Sequence, residues 1–240
     1  SRIIPKKIIY CSEKSIDFHE NHHFYLKEKT VLIDNGYSEN NYYPSNKLRS
    51  DFRRRNKIGK SDIILGYAGR YAKQKNIPSL LLAFSKILKN YNNLYLYMVG
   101  NGINSSNKKL SNLIVDLNLK SKVYLLDHKK NLLQFYNGLD LLVLPSYSES
   151  FSNVLAESML CSTPVLSTNV GCSKKIIKDC GFIIEKKDFF SITKGLKKSI
   201  DTIKFKKKKW KLLKKNSRLQ IKNNFSIEKM ANSYFKNWIF

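Results

Sequence analysis

Between Ile63 and Ile184 short apolar runs alternate with stretches of helical periodicity, and this alternation constrains the fold more than any other feature of the chain. Residues 63–67, 94–99, 123–126, 139–144, 165–167 and 181–184 read as strands, the fourth stopped by Pro145. After the first strand, Leu80, Leu81, Phe84, Ile87 and Leu88 recur at helical spacing, with Asn76 as the expected cap and Pro78 in the first turn. Further helices are predicted over 108–117, 132–136 and 152–161. Six strands separated by helices mean repeated βαβ units, hence an α/β fold with a doubly wound parallel sheet covered on both faces. Ligands of such sheets sit outside the carboxyl ends of the strands.

The flanks differ. Residues 1–44 hold a predicted strand (7–11), a helix (13–25), a second strand (30–33) and an Asn-rich loop ending at Pro44. Two strands cannot bury themselves alone, so this stretch is expected to be the end of another sheet or to lie against the main domain. The start at Ser1, with neither Met nor an apolar signal core, reads as the start of a fragment. Residues 201–240 carry 12 Lys+Arg against 2 Asp+Glu. Apolar spacing there (Trp210 and Leu213, then Ile227, Met230, Tyr234 and Trp238) predicts two helices with one buried face each.

The chain as a whole has 44 Lys+Arg and 18 Asp+Glu, a formal charge of +26 that invites a nucleic-acid reading. Only seven of the 44 are Arg, and beyond Arg53-Arg54-Arg55 there is no Arg cluster, recognition helix or RNP-like run. No nucleic-acid partner is therefore expected. Most lysines read as a solvated, codon-biased background, with a subset meeting phosphate or an anionic membrane surface. No apolar run approaches the ~20 residues of a membrane span. Cys11, Cys161, Cys172 and Cys180 form no CxxC pair and read as thiols of a reducing compartment, hence a cytoplasmic location. His19, His22 and His23 lack companion ligands, so a solvated helix face is preferred to a metal site.

Two segments carry chemistry. Where the strand 139–144 ends, the chain reads Pro145-Ser146-Tyr147-Ser148-Glu149-Ser150-Phe151-Ser152-Asn153-Val154-Leu155-Ala156-Glu157. A helix starting at about Ser152 offers free N–H groups to phosphate or sugar oxygens, with Glu149 just before them and Glu157 further along. Ionised carboxylates accept hydrogen bonds and so suit hydroxyl-rich ligands; a capping Glu followed by an exposed helix Glu fits the spacing equally well. After the strand 63–67 comes Gly66-Tyr67-Ala68-Gly69-Arg70-Tyr71-Ala72-Lys73-Gln74-Lys75-Asn76. Gly69 permits close backbone approach, and Arg70 and Lys75 place two cations at the same sheet edge, a pairing suited to a diphosphate leaving group. Lys73 reads as solvated.

Together, Gly69-Arg70 with Lys75, the turn Val99-Gly100-Asn101-Gly102, the strand end 142–146, Glu149/Glu157 with Phe151, and Pro164-Val165-Leu166 resemble a known family. It is the C-terminal, Rossmann-like part of retaining, nucleotide-sugar-dependent GT-B glycosyltransferases, the large bacterial group called family 4 or glycosyl transferases group 1. Ile33-Asp34-Asn35-Gly36 with Tyr43-Pro44 is similar to that family's interdomain segment. The resemblance implies three parts: residues 1–44 as the end of an N-terminal acceptor domain with its linker, 45–225 as the donor-binding domain, and 226–240 as a closing helix. It implies that Arg70 and Lys75 hold the donor diphosphate and that Glu149 contacts the donor sugar near its anomeric centre. Glu157 would bind the ribose, while N–H groups of Phe151, Ser152, Asn153, Val154 and Leu155 hold hydroxyls and phosphate. No metal or other cofactor is implied; the donor is a UDP- or GDP-linked sugar.

The implied activity is transfer of a hexose-type sugar, with retention, to a glycan or lipid-linked acceptor in O-antigen, capsule or lipopolysaccharide synthesis. The protein is expected in the cytoplasm, with the basic tail touching the anionic inner face of the membrane. The fragment alone is expected to have little or no transferase activity. Competing readings are a non-catalytic nucleotide-sugar binder and, further back, a basic nucleic-acid-binding protein. Three departures from the family pattern stand out: Ser152 for a frequent Gly, Cys172-Ser173-Lys174-Lys175 for a second Gly with Pro and Glu, and the loop 126–131 for a usual Gly and Arg. His128 or Lys129 of that loop could face the base or phosphate, with a solvated loop the preferred reading.

Overall fold

The computed structural model describes residues 5–22 and 27–238. The predicted extension of the first helix to Tyr25, His23 and the last two residues of the closing helix lie outside them. In chain order, β1 (Ile8–Tyr10), α1 (Glu13–Asn21) and β2 (Thr30–Leu32) form a small parallel βαβ unit, and α2 (Asn46–Arg55) leads into the main sheet. That sheet contains β3 (Ile63–Ala68), β4 (Leu94–Val99), β5 (Val123–Leu125), β6 (Leu141–Leu144), β7 (Val165–Thr168) and β8 (Phe182–Ile184). All pairs are parallel, in the order β5-β4-β3-β6-β7-β8. Between them run α3 (Ile77–Leu88), α4 (Lys108–Asp116), α5 (Leu133–Gly138), α6 (Asn153–Leu160) and α7 (Ser173–Ile177). After β8 follow α8 (Phe189–Phe205), α9 (Lys207–Asn224) and α10 (Ile227–Trp238). The doubly wound α/β fold is therefore as the sequence predicts.

Strand alternation divides the core in two. In β3, Ile63, Leu65 and Tyr67 pack with α3, α4 and α8, while Ile64 and Ala68 face Phe52 of α2 together with α5 and α6. Both faces being covered explains why the strands are apolar at nearly every position. Chain order reverses between β3 and β6, so the loops after those two strands flank the crevice where doubly wound sheets take their ligands.

Several boundaries depart from expectation. The strand predicted from Leu139 begins only at Leu141, because Gly138 ends α5 and Asp140 turns its carboxylate onto Ile64 N at 2.8 Å. Asn76 occupies the cap position of α3 but does not cap it with its side chain. It sits in a left-handed conformation and Nδ2 donates to the carbonyls of Pro145 (3.1 Å) and Lys187 (3.0 Å), tying the β3 loop to the end of β6. α2 has one buried apolar residue, Phe52, and docks through charge: Arg49 donates to Leu139 O (2.7 Å) and pairs with Asp140 (2.6 Å), and Arg53 donates to the carbonyls of Gly59 and Asp62. Arg54 pairs with Asp51, so two of the three consecutive arginines have internal partners.

The chain entering α2 also crosses the junction of α9 and α10. Tyr37 N donates to Phe225 O (2.9 Å), and Ile227 N donates to Tyr37 O (3.1 Å). Among the described residues no helix is long and apolar enough to cross a membrane.

Candidate active site

A cavity of about 910 Å³ opens at the carboxyl edge of the sheet. Its floor is stitched from successive strand ends. Gly69 N donates to Val99 O, Tyr71 N to Asn101 O and Gly100 N to Asp127 O, which aligns the loops after β3, β4 and β5. Gly100 has φ +145°, and a Cβ there would stand 2.1 Å from Gly69 O, so only glycine permits these two loops to close on each other.

The loop carrying Glu149 is held from two sides. Tyr147 N donates to Gln74 O at 2.7 Å, and Cys172 N donates to Ser150 O at 3.1 Å. Gly171, at φ +51°, lies so close that a Cβ would come within 2.3 Å of the carbonyls of Glu149 and Ser150. The segment 172–175 supplies this clamp without the family's second Gly and Pro: Ser173 Oγ accepts from Val170 N and donates to Thr168 O, and Lys175 pairs with Asp34 at 2.7 Å.

Of the sequence-predicted residues, Gly69, Arg70, Lys75, Glu149, Phe151 and Val154 line the cavity; Ser152, Asn153, Leu155 and Glu157 do not. Lys75 Nζ and Glu149 Oε1 are 2.6 Å apart with both side chains nearly buried, and Ser146 Oγ donates to the same oxygen at 2.7 Å. Tyr67 lies beneath, its hydroxyl pKa raised by burial and then by the charge of Glu149. Arg70 is exposed. Among the described residues its guanidinium makes no ion pair.

Leu155 is wholly buried, and the N–H groups of Asn153 and Leu155 are turned back on the carbonyls of Phe151 and Ser152. Ser152 Oγ is buried with no hydrogen-bond partner. Asn153 Oδ1 accepts from Tyr37 OH (2.6 Å) and Asn35 Nδ2 (3.0 Å), so it faces the linker. Glu157 points toward α5, where Oε2 accepts from Tyr136 OH at 2.7 Å; burial raises its pKa, while hydrogen bonds from Tyr136 and Tyr42 pull it back.

The sequence reading missed part of the wall. His128 and Lys129 line the cavity while remaining exposed, and Lys14, Ser15, Phe18 and His19 close it from α1. The α1 residues carry a signal only in hindsight: Lys14 and Phe18, like Ser15 and His19, are four apart and share a helix face. Four cations (Lys14, Arg70, Lys75, Lys129) thus meet one carboxylate, Glu149, in the cavity wall, an arrangement suited to a polyanionic ligand. Among the described residues no group of three or more His, Cys, Asp or Glu is placed to hold a metal ion. All four cysteines are free, and burial pushes the Cys161 and Cys172 thiols up to about 12 and about 11, away from nucleophilic use.

A doubly wound sheet with a cationic cleft at its switch point defines an α/β domain built to take an anionic ligand at the strand ends. Residues 49–220 match the family described as glycosyl transferases group 1, and the chain belongs to that family. It is 28% identical over 201 residues to the capsular polysaccharide biosynthesis glycosyltransferase CapM of Staphylococcus aureus, covering 80% of this chain and 51% of that protein. It is 26% identical over 216 residues to the O-antigen biosynthesis glycosyltransferase WclY of Escherichia coli, covering 90% and 57%. The chain therefore spans about half the length of these curated relatives. The crystal structure of Anabaena HepE in complex with UDP and glucose superposes with TM-score 0.85 at 20% identity, over 97% of this chain and 62% of that one, which establishes a shared GT-B-type fold.

Proposed function

We propose that the chain is the donor-binding half of a retaining glycosyltransferase that takes a sugar from a UDP- or GDP-linked donor. The observation that carries this reading is the Lys75–Glu149 pair beside the exposed Arg70, all three in one cleft at the switch point of the sheet. Arg70 and Lys75 hold the diphosphate and stabilise the charge that builds on it as the anomeric C–O bond breaks. Glu149 takes a hydroxyl of the donor sugar. The acceptor hydroxyl attacks from the face the diphosphate leaves and passes its proton to a leaving phosphate oxygen. No metal is required in this scheme, because the cations neutralise the leaving group.

Glu157, which lies outside the cavity lining, binds the ribose with acceptor positions that the Tyr136 hydroxyl on Oε2 leaves free. Residues 1–44 act as the end of the acceptor domain, 45–225 as the donor domain and 226–240 as the closing helix. CapM and WclY, named for capsular polysaccharide and O-antigen synthesis, support a surface-glycan acceptor; in our reading it is lipid-linked and met at the cytoplasmic face of the membrane.

Titration calorimetry of this chain with UDP, GDP and their sugar conjugates tests the donor reading. Arg70→Ala is expected to weaken binding by about 10- to 100-fold, the worth of charge-assisted hydrogen bonds to phosphate. Unchanged affinity, or no binding by the unaltered chain, overturns the site.

A further inference from the structure

From Thr202 to Ile227 the chain contains ten Lys+Arg and neither Asp nor Glu. The fold sorts these residues by direction. The inner face of α9 carries Leu213, Ser217 and Ile221, all buried, with Trp210 packed against the core. Arg218 also turns inward, to Leu160 O at 2.6 Å and Glu39 at 3.1 Å. The outer face carries Lys208, Lys211, Leu212, Lys215 and Leu219, all exposed, and Lys206, Lys207 and Lys209 surround the corner where α8 meets α9. Leu212 and Leu219, seven residues apart, share this face and are 57% and 40% exposed, and Phe205, the last residue of α8, is 72% exposed at the corner beside it. Among the described residues, none of Lys206, Lys207, Lys208, Lys209, Lys211 and Lys215 is in an ion pair.

We infer that this face of α9, with its α8 corner, is a docking surface for an anionic lipid bilayer. A line of apolar side chains flanked by lysines is the pattern of a helix lying in the membrane interface. There the apolar groups enter the headgroup boundary while lysine stems extend their charge to lipid phosphates. The chemistry is less suited to nucleic acid. The one arginine of α9 faces inward, so no planar guanidinium is offered to a discrete phosphate, and three exposed apolar side chains would gain nothing from a sugar-phosphate backbone. No residue of α8 or α9 lines the cleft, so the donor site stays open while this face rests on the bilayer.

The inference deepens the lipid-side reading of the acceptor and fails separately from it, since vesicle binding and nucleotide binding are measured independently. The chain is sedimented with phosphatidylcholine vesicles, with and without about 30% phosphatidylglycerol. Binding is expected only with phosphatidylglycerol and is expected to fall steeply toward about 0.5 M NaCl. Replacing Lys206, Lys207, Lys208 and Lys209 together by Gln should weaken partitioning by about 100-fold or more. The variant Phe205→Ser/Leu212→Ser/Leu219→Ser should also lose binding while keeping the salt slope. Both variants should melt normally and bind nucleotide as before, because every altered side chain is exposed. The inference is overturned if the unaltered chain ignores anionic vesicles, or if either variant binds them as well as the unaltered chain. It is also overturned if an RNA oligonucleotide is bound more tightly than vesicles and the apolar variant leaves that binding intact.

Discussion

Glu149 and Glu157 are the same side chain eight residues apart, and the fold holds them by opposite means. Glu149 sits in a loop at the cleft, with Lys75 Nζ at 2.6 Å and a serine hydroxyl on the same oxygen. Glu157 sits in the second turn of α6, facing tyrosine hydroxyls in place of a cation, and burial raises its pKa. A carboxylate paired with a cation in the cleft wall can orient a ligand there at once. One turned to neutral donors outside the cavity lining acts only on a ligand that reaches it. The difference teaches that the loop, not the helix, is the part of this motif that reaches the cleft.

The strongest test breaks the loop pair. In the intact protein, Glu149→Ala is expected to lower transfer by about 1000-fold while nucleotide still binds. In this chain the same change leaves Lys75 nearly buried without a partner and should cost about 3 kcal/mol of stability, read from denaturant melts. Lys75→Met combined with Glu149→Met should recover much of that stability without recovering transfer, because an apolar pair fills the space the ions occupied. Transfer that survives Glu149→Ala would assign the chemistry elsewhere.

Gly171→Ala probes the same contrast through the backbone. Its Cβ would collide with the carbonyls of Glu149 and Ser150, in a left-handed conformation that alanine adopts only with strain. The expected cost is about 2 kcal/mol, with faster amide exchange over residues 146–151 and none of that loosening in α6 around Glu157. Equal loosening at both carboxylates would mean that loop and helix move as one unit.

Much of this arrangement was legible in the residues before any coordinates. The sheet was, because both its faces are buried and its strands are therefore apolar at nearly every position. The cleft residues Gly69, Arg70, Lys75 and Glu149 were, because a strand that ends in Gly or Pro delivers its loop to the ligand edge. α2 was not legible: only Phe52 is buried, and an arginine reaching a carbonyl 90 residues away leaves no hydrophobic period. α8 carried a period in Ile192, Leu196 and Ile200, but a neighbouring run of lysines obscures it. The α1 wall of the cleft was hidden for a different reason. Lys14, Ser15, Phe18 and His19 become a surface only when the small βαβ unit meets the main domain, a long-range contact that no local pattern encodes.

The smallest expected effect belongs to Glu157, and it has the opposite sign. Burial raises its pKa above the usual 4.5, more than the tyrosine hydroxyls lower it. A carboxyl with a raised folded pKa binds more protons folded than unfolded. Its contribution to stability is then fully present below the unfolded pKa and is lost as pH rises through the folded value. Glu157→Gln removes that loss while its amide oxygen still accepts from Tyr136. The variant should melt higher near pH 7 than the unaltered chain, and the gain should vanish toward about pH 4. If Glu157 also takes the ribose, the same variant should bind nucleotide more weakly while it melts higher. That combination separates a carboxylate kept for its ligand from one kept for the fold, because a structural carboxylate would lose both together or neither.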